Sequence, residues 1–459
     1  MTNELLQLWA RSFDNNHSVA IEDAYGNTLT YHQLYLQAKI IAGYIEKHYN
    51  RFLFVPIQAD NNLHSYALIL GTWLANKAYV PITSDTPSQR IQHILNTINC
   101  FQILTWEEAK NADSIADLHD NKNQYAYVIF TSGSTGFPKA VPISWENLID
   151  FHQYYQSHPE ISFQKNMHWL QTYALNFDVS VFVFTQCFST LGKLFLLPNE
   201  GVKYLKIAQF IQQKNIDVCS NVPSTAQLLS AYANELNFIS LKYCFFSGEA
   251  LYAQTAKTWQ NMAPNAQIYN AYGPTETTIV CAQINIKDIP VKYWTDGTIL
   301  PIGIPFSDTK FKIIQNVLWV SGKQVFNGYL PENNDVFLDI DGTKFYCTGD
   351  VVEEENRMYI FKGRFDHQVQ HLGYRIELNE IQKVFYQLFT IPNVVIYHEN
   401  QLYLFYESDK EININNMQNY LPQYMLPHHY CKIDKLPLNN NQKIDYQKLK
   451  SWINTMGID

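Results

Sequence analysis

The stretch that decides the fold is Val128-Ile129-Phe130-Thr131-Ser132-Gly133-Ser134-Thr135-Gly136-Phe137-Pro138-Lys139. Its three leading apolar residues predict the end of a buried strand, and the rest forms a loop of hydroxyls, two glycines and a lysine. Glycines let the backbone approach an anion, hydroxyls and amides donate to phosphate oxygens, and a lysine neutralises charge. The segment therefore predicts a phosphate-binding loop, although ordinary loops also have this composition.

This loop does not match the P-loop of nucleoside triphosphatases. That pattern needs four residues between its glycines and Ser or Thr directly after its lysine. Here two residues separate Gly133 from Gly136, and Ala140 follows Lys139. We therefore expect phosphate chemistry in a different fold.

Composition narrows the class of protein. The 459 residues, 46% of them hydrophobic, suffice for about three domain-sized units. Lys+Arg 33 against Asp+Glu 42 gives a net charge of −9, which argues against binding nucleic acid or anionic membrane. The seven scattered cysteines lack a Cys-x-x-Cys pair and indicate buried thiols in a reducing compartment. Without a signal-peptide core or a long apolar segment, we expect no membrane insertion and a cytoplasmic location.

Short apolar runs alternate with helix-like segments over the first hundred residues and again between Trp169 and Gly248. The strand candidates are 52–57, 79–82, 194–198, 218–222 and 243–246. Such alternation predicts parallel, helix-covered sheets. Short β-like runs, including 310–314 and 317–320, dominate after Ile299, and a small unit follows Gly363. We expect an α/β protein with packed helix-covered sheets, a β-rich subdomain and a small α+β C-terminal unit.

Seven further segments occur in the order of one known family: 78–82, 270–276, 346–350, 363–369, 373–377, 421–427 and 441–445. Together with the loop, they resemble the motifs of the adenylate-forming superfamily, which contains acyl-CoA and aryl-CoA synthetases, luciferases and the adenylation domains of nonribosomal peptide synthetases. The resemblance implies an ATP- and substrate-binding core at 1–365 and a mobile lid at 366–459, with the hinge at Asp366.

The resemblance also implies the reaction. A carboxylate attacks ATP, pyrophosphate leaves, and the acyl-adenylate passes to a thiol. Attack of one anion on another needs charge neutralisation and in-line positioning rather than a covalent nucleophile. By resemblance, the residues that cradle the β- and γ-phosphates are Thr131, Ser132, Gly133, Ser134, Thr135, Gly136 and Lys139.

The same resemblance assigns the other nucleotide contacts. Tyr272 would stack on adenine and Asp350 would accept from the ribose hydroxyls, while Asn270, Ala271, Gly273 and Arg364 complete the nucleotide site. Thr275 would hold the α-phosphate and Glu276 would ligate Mg²⁺. Alone, Tyr272 also fits a core tyrosine, and Asp350 also fits a Thr-Gly-Asp turn.

Lys443 is the catalytic lysine that the resemblance implies, because a lysine in this tail motif bridges carboxylate and phosphate oxygens during adenylation. Its neighbour Gln442 departs from the glycine that the family usually has there, and Gln370 stands where lysine is usual. Without the resemblance, a lysine in an Asn-rich tail is an ordinary solvated side chain.

The substrate is predicted from Asp178, which resembles the aspartate that binds the α-ammonium in amino-acid-activating members. A buried carboxylate needs a cationic partner, and the substrate supplies one. The pocket positions carried over by motif are Asp178, Val179, Phe182, Asn221, Phe245, Ser247, Ala271, Ile279 and Val280. These positions offer no counter-charge for a charged side chain, and only Asn221 and Ser247 form a polar corner. They therefore favour a small neutral amino acid such as alanine, serine or cysteine, with proline as a less favoured candidate.

The chain ends 16 residues after Lys443, so we expect a separate carrier protein to bring the phosphopantetheine thiol in trans. Length and layout also resemble the free-standing D-alanine:carrier-protein ligases. Three alternatives stay open: a small-carboxylate CoA ligase, a D-alanine:carrier-protein ligase proper, and a non-catalytic ATP-binding protein. An exchange assay over an acid panel, with and without CoA, separates them.

Overall fold

The computed structural model describes residues 4–113, 115–116, 123–133, 137–331, 335–366, 368–371, 373–408, 412–438 and 444–455. The α-helices are α1 Glu4–Phe13, α2 Tyr31–His48, α3 Leu63–Leu74, α4 Ser88–Ile98, α5 Trp106–Ala109, α6 Trp145–Ser157, α7 Val179–Ser189, α8 Lys203–Gln213, α9 Pro223–Leu229, α10 Ala253–Met262, α11 Leu378–Phe389 and α12 Tyr446–Thr455. The strands are β1 Val19–Glu22, β2 Thr28–Thr30, β3 Phe54–Gln58, β4 Ala78–Ile82, β5 Tyr125–Thr131, β6 Lys139–Ser144, β7 His168–Gln171, β8 Lys193–Leu196, β9 Val218–Asn221, β10 Tyr243–Phe246, β11 Gln267–Tyr272, β12 Ala282–Asn285, β13 Ile304–Pro305, β14 Lys310–Ile314, β15 Val317–Ser321, β16 Phe337–Ile340, β17 Thr343–Glu355, β18 Met358–Arg364, β19 Gln368–His371, β20 Tyr374–Glu377, β21 Asn393–His398, β22 Gln401–Glu407 and β23 His429–Ile433.

The chain divides into two units of dense internal contact. The first unit comprises Met1–Ser84, Leu95–Phe130 and Ala140–Phe365, and the second comprises Asp85–Ile94, Thr131–Lys139 and Asp366–Asp459. The segment Thr131–Lys139, which is predicted to bind phosphate, is thus grouped with the C-terminal part of the chain.

Two sheets of the first unit contain the predicted strands. One has the order β13-β12-β11-β10-β9-β7-β8-β1-β2 and the other β3-β4-β5-β6. The pairs from β11 through β10, β9, β7 and β8 to β1 are parallel, as are β3-β4 and β4-β5. The expected parallel, helix-covered α/β arrangement is thus confirmed. Both edges of the larger sheet add antiparallel strands that the alternation did not indicate.

The β-rich part of the first unit is a sheet of order β14-β15-β17-β16, in which β18 also pairs with β17. The thirteen-residue strand β17 carries Asp350, and the antiparallel β17-β18 register places Asp350 opposite Arg364. Directly opposed residues have Cβ atoms about 5 Å apart. This hairpin therefore fixes two of the predicted nucleotide residues beside each other.

The second unit packs helices on both faces of the three-stranded sheet β21-β22-β23. Leu404 faces the α11 side, where it shares a core with Ile381 and Phe385. Phe405 faces the α12 side, with Leu449 and Ile453. Successive strand residues point to opposite faces, so an apolar run such as β22 predicts a strand covered on both sides.

All seven cysteines lie in the described part of the chain and are free thiols, and all but the half-exposed Cys347 are buried. Within the described ranges, no helix combines the length and the apolar character needed to cross a bilayer.

His152 joins α6 to α7, and we expect it to make the stability of the protein sensitive to acid. Its ring nitrogens contact the side-chain amides of Gln156 at 2.8 Å and Gln186 at 2.9 Å. Burial lowers the pKa of His152 to about 4, whereas a histidine in the unfolded chain titrates near 6.5. The unfolded state therefore binds the proton more tightly, and stability falls as pH drops below about 6.5 until it reaches about 4.

Between pH 7.5 and pH 5 this ring should lower the free energy of unfolding by about 2 kcal/mol. Urea titrations of the wild type and of His152→Gln at both pH values measure the loss, which the variant should lack. The exposed His17 supplies the matched control, since His17→Gln should keep the wild-type pH dependence. An equal pH dependence in His152→Gln would contradict the assignment.

Candidate active site

The predicted phosphate loop begins at the carboxyl end of β5, where Thr131 is half-buried and Ser132 is buried. A Cβ atom added to Gly133 would lie 2.0 Å from the carbonyl oxygen of Phe137, so only glycine fits there. Lys139 begins β6. Ser134, Thr135 and Gly136 lie outside the described residues.

Three of the residues predicted to bind the nucleotide, Tyr272, Asp350 and Arg364, contact one another. The Tyr272 hydroxyl donates to Oδ2 of Asp350, and Nη1 of Arg364 donates to its Oδ1 at 2.5 Å. The Asp350 carboxylate is buried, with 6% of the residue exposed. Burial raises the pKa of Tyr272 well above its usual value, and the nearby Asp350 raises it further. The phenol therefore stays protonated as a donor.

Asn270 and Gly273 shape the end of β11. Nδ2 of Asn270 donates to the carbonyl oxygen of Pro301 at 2.8 Å, so this side chain supports a neighbouring loop. A Cβ atom on Gly273 would lie 2.4 Å from Cα of Val280. Gly273 thus allows Val280, a predicted pocket residue, to pack directly against the predicted nucleotide motif 270–276.

Glu276 lies in the 3-10 turn Thr275–Thr277 and is 1% exposed. The hydroxyl of Tyr329 donates to Glu276 Oε1 at 2.6 Å, which orients the carboxylate. Within the described ranges, no three His, Cys, Asp or Glu side chains are grouped to hold a metal ion. Mg²⁺ usually takes one or two carboxylates together with substrate phosphates and water, so a single oriented carboxylate fits this ion.

Asp178 directly precedes α7 and is 7% exposed. Its Oδ2 atom finds no hydrogen-bond partner among the described residues. Burial raises the pKa of Asp178 to about 7, a hydrogen bond with Thr275 opposes this rise, and the charge of Glu276 adds to it. An orphaned buried carboxylate oxygen is costly, and a bound cation would remove that cost.

A strained turn formed by Thr278 and Ile279 lies beside Asp178. Thr278 and Ile279 have φ angles of 58° and 72°, which β-branched residues rarely adopt. Nε2 of Gln324 donates to the carbonyl oxygen of Val280 at 2.9 Å, and the Thr278 hydroxyl donates to the backbone carbonyl oxygen of Gln324 at 2.6 Å. The backbone amide of Ile279 lowers the pKa of the Asp178 carboxyl. Gln324 therefore holds the turn that presents this amide.

Four predicted pocket residues share one side of the larger sheet. In-register pairing puts Phe245 on β10, with Ser247 just beyond it, on the face of Ala271 on β11. Phe182 on α7 meets Phe245 edge to face, with ring centroids 5.1 Å apart. The aromatic pair fills volume, which suits a small substrate.

The remaining pocket positions differ in their placement. Ile279 and Val280 are buried in the strained turn, and Val179 is half-buried at the start of α7. Asn221 pairs in register with Phe246 rather than Phe245, so the pleat turns its side chain to the opposite face, where Nδ2 contacts Sγ of Cys219 at 3.3 Å. The structure does not bring Asn221 to the polar corner expected from sequence.

Two further predicted site residues, Lys443 and Asp366, lie in the C-terminal part of the sequence. Lys443 lies outside the described residues. Asp366 is the first residue of the C-terminal segment of the second unit, and its Oδ1 accepts the Gln368 amide at 3.2 Å.

Gln324 and Tyr329 were missed by sequence reasoning. Both lie in the loop between β15 and β16, which has no motif, and they act through residues about 50 positions earlier in the chain. A polar residue in an irregular segment gives no local signal of such a contact, so no pattern in the single sequence could have found them.

The chain belongs to the family of AMP-binding enzymes, whose model matches residues 8–330. It is therefore an adenylate-forming, ATP-dependent ligase, and the superfamily expected from the motifs is confirmed.

Among curated relatives, the D-alanine–D-alanyl carrier protein ligase of Staphylococcus aureus is 29% identical, over 99% of this chain and 100% of its own length. The ligase of the same name from Staphylococcus haemolyticus is also 29% identical, over 93% and 94%.

Solved structures show the same fold. The Vibrio cholerae adenylation domain AlmE, in complex with glycyl-adenosine-5'-phosphate, has a TM-score of 0.84 and 22% identity, covering 98% of both chains. PA1221, a nonribosomal peptide synthetase protein with adenylation and PCP domains, has a TM-score of 0.83 and 20% identity, covering 98% of this chain and 84% of its own.

Proposed function

We propose that this ligase activates a small neutral amino acid with ATP to an aminoacyl-adenylate and transfers it to the phosphopantetheine thiol of a separate carrier protein. The observation that carries the amino-acid assignment is Asp178, whose buried Oδ2 has no partner among the described residues. A substrate α-ammonium would supply the missing cation at this site. Alanine, serine and cysteine are the preferred candidates.

The neighbours of Asp178 support a substrate orientation in which the ammonium binds Asp178 and the carboxylate lies near Thr275 and Glu276. Thr275 and Glu276 are close enough to Asp178 to shift its pKa, which the Thr275 side chain lowers and the charge of Glu276 raises. An amino acid anchored through its ammonium at Asp178 would therefore have its carboxylate near the segment proposed to hold the α-phosphate and Mg²⁺. Holding both reacting anions beside a cation is the main requirement of adenylation.

In this proposal, the roles of the nucleotide residues follow the motif order. Tyr272, Asp350 and Arg364 bind the nucleoside, the loop with Lys139 binds the β- and γ-phosphates, and Glu276 holds Mg²⁺. Bound Mg²⁺ supplies charge neutralisation on the phosphates. Lys443 bridges the carboxylate and phosphate oxygens.

Two comparisons support the carrier and the substrate size. The staphylococcal relatives are named as D-alanine–D-alanyl carrier protein ligases, and the AlmE structure contains a glycyl-adenylate. Both names concern a small amino acid, which agrees with the Phe182–Phe245 pair that limits the pocket.

The test is amino-acid-dependent ATP–pyrophosphate exchange over all proteinogenic amino acids and their D-isomers, together with acetate and propionate. We expect the best exchange with a small neutral amino acid, followed by thioester formation on a phosphopantetheinylated carrier protein but not on free CoA. Best activity with an aromatic or charged acid would refute the pocket assignment, and CoA thioester formation from a simple acid would identify a CoA ligase.

Gln324 offers a test of the pocket away from substrate contact. Gln324→Ala removes the donor that holds the strained turn, so the KM for the amino acid should rise about tenfold, the loss expected for one or two buried hydrogen bonds. The KM for ATP should change little. Steady-state exchange kinetics measure both values. Gln212→Ala, on the exposed side of α8, should leave both at the wild-type level, and an unchanged amino-acid KM in Gln324→Ala would contradict the role.

A further inference from the structure

The phosphate loop is in contact with a carboxylate from a distant part of the sequence. The backbone N–H of Gly133 donates to Oε2 of Glu380 at 3.3 Å, although 247 residues separate them. Glu380 is 2% exposed, and its Oε1 accepts from Nη1 of Arg90 at 3.1 Å. All three residues belong to the second unit.

Further contacts hold the same loop. The Ser132 hydroxyl donates to the carbonyl oxygen of Arg375 at 2.8 Å, and a ring nitrogen of His93 lies 2.9 Å from the Pro138 carbonyl oxygen. The Phe137 carbonyl leaves no room for a side chain at Gly133. The direction of the Gly133 amide is therefore fixed while Glu380 is bound to it.

The position of Glu380 in its helix shows that the contact is not a by-product of helix capping. Glu380 is the third residue of α11, where a glutamate often reaches back to the residue before the helix. Here that residue is Glu377, which makes no side-chain cap hydrogen bond within the described part of the chain. The Glu380 carboxylate instead bonds Arg90 and the loop amide.

We propose that the Glu380 carboxylate is an internal competitor for phosphate: it occupies the Gly133 amide and leaves before the β- and γ-phosphates of ATP, or pyrophosphate, bind there. The proposal rests on the proposed role of this loop in holding those phosphates. A carboxylate and a phosphate present the same chemistry to a backbone amide, namely anionic oxygen acceptors. Both cannot accept from one amide in the same geometry, so binding of one releases the other.

This competition gives Glu380 a place in the catalytic cycle. Re-formation of the Glu380 contact would displace pyrophosphate from the loop after adenylation, while AMP, which lacks the β- and γ-phosphates, would be unaffected. Glu380 thus acts on the affinity for pyrophosphate rather than on the bond-making step.

Calorimetric titration of the full-length protein with ATP, pyrophosphate and AMP, without amino acid, tests the proposal. Glu380→Gln keeps the shape of the side chain but removes the anionic acceptor. It should bind ATP and pyrophosphate about fivefold to tenfold more tightly, because hydrogen bonds to charged groups are stronger than neutral ones. AMP affinity should stay within twofold. The exposed Glu399 supplies the matched control, since Glu399→Gln makes the same charge change away from the loop.

A second variant removes the effect of an unpaired Arg90, which could itself attract phosphate. The double variant Arg90→Met with Glu380→Met deletes both charges and should still bind pyrophosphate at least about threefold more tightly than the wild type. Wild-type affinity in the double variant would mean that Arg90 caused the gain, and it would overturn the competition.

Hydrogen exchange on the wild-type chain keeps the proposal testable if these variants fold poorly. Pyrophosphate should increase amide exchange in the first turn of α11, because it releases Glu380, whereas AMP should not. Unchanged or slower exchange there would overturn the proposal. Absence of any pyrophosphate binding by the wild type would refute the role of the loop as well, whereas normal binding without a response at α11 refutes the Glu380 competition alone.

Discussion

Asp178→Asn is expected to lower kcat/KM for the amino acid by about 10²- to 10³-fold, the loss typical of breaking a buried ion pair. The substitution keeps the size of the side chain but removes the charge that would bind the α-ammonium. A desamino substrate such as propionate gains nothing from that charge, so its low activity should not fall. Exchange kinetics with alanine and propionate therefore measure the contribution of the ammonium contact.

The pH profile gives the same prediction a second readout. Because burial raises the pKa of Asp178 to about 7, the ligand-free carboxyl is mostly protonated below that pH and cannot pair with an ammonium. The kcat/KM for the amino acid should therefore rise with pH through about 7 and then level off. In Asp178→Asn, kcat/KM should not show this rise with pH, which is the limb of the profile assigned to Asp178. The exposed Asp288→Asn should retain both the limb and the wild-type rate, and a full limb in Asp178→Asn would contradict the assignment.

Lys443→Ala is expected to abolish amino-acid-dependent pyrophosphate exchange while it largely spares thioester formation from a preformed adenylate. By the family resemblance, the lysine neutralises the two anions that meet during adenylation, and this charge is no longer needed once pyrophosphate has left. A loss of about 10²-fold or more in the first half-reaction is the usual scale for such a group.

The two half-reactions are measured separately, by isotope exchange and by single-turnover transfer from a synthetic aminoacyl-adenylate to the carrier. The exposed Lys450→Ala, on α12, makes the same chemical change nearby and should leave both rates intact. Equal loss of both half-reactions in Lys443→Ala would refute a role confined to adenylation.

Local pattern was enough to predict most of the fold. The apolar runs that end near Ile57, Ile82 and Phe246 became strands, because a continuous apolar segment with turn residues on both sides has few other ways to bury itself. The alternation with helices then required parallel pairing. The two outermost strands at each end of the larger sheet, β1 and β2 at one end and β12 and β13 at the other, gave weaker signals, since they are short and partly polar.

The sequence motifs predicted which residues belong to the candidate site, but not which of them contact one another. Motif order named Tyr272, Asp350 and Arg364, and the structure brings them together. It could not show that the pleat turns Asn221 away from Ser247, because the side of a strand depends on its register with its neighbours. The contact of Glu380 with Gly133 spans most of the chain and depends on tertiary packing, for which a single sequence carries no pattern.

In the proposed substrate pocket, the turn of Thr278 and Ile279 constrains how the substrate range could change during evolution or engineering. Gly273 packs closely against Val280 and Gln324 hydrogen-bonds the same segment, so the backbone of the turn has little room to move. On the proposed assignment, a larger amino acid would need smaller side chains in place of Phe182 and Phe245. We therefore expect laboratory selection for bulkier substrates to yield substitutions at those two rings and to leave Gly273, Gln324 and the turn unaltered.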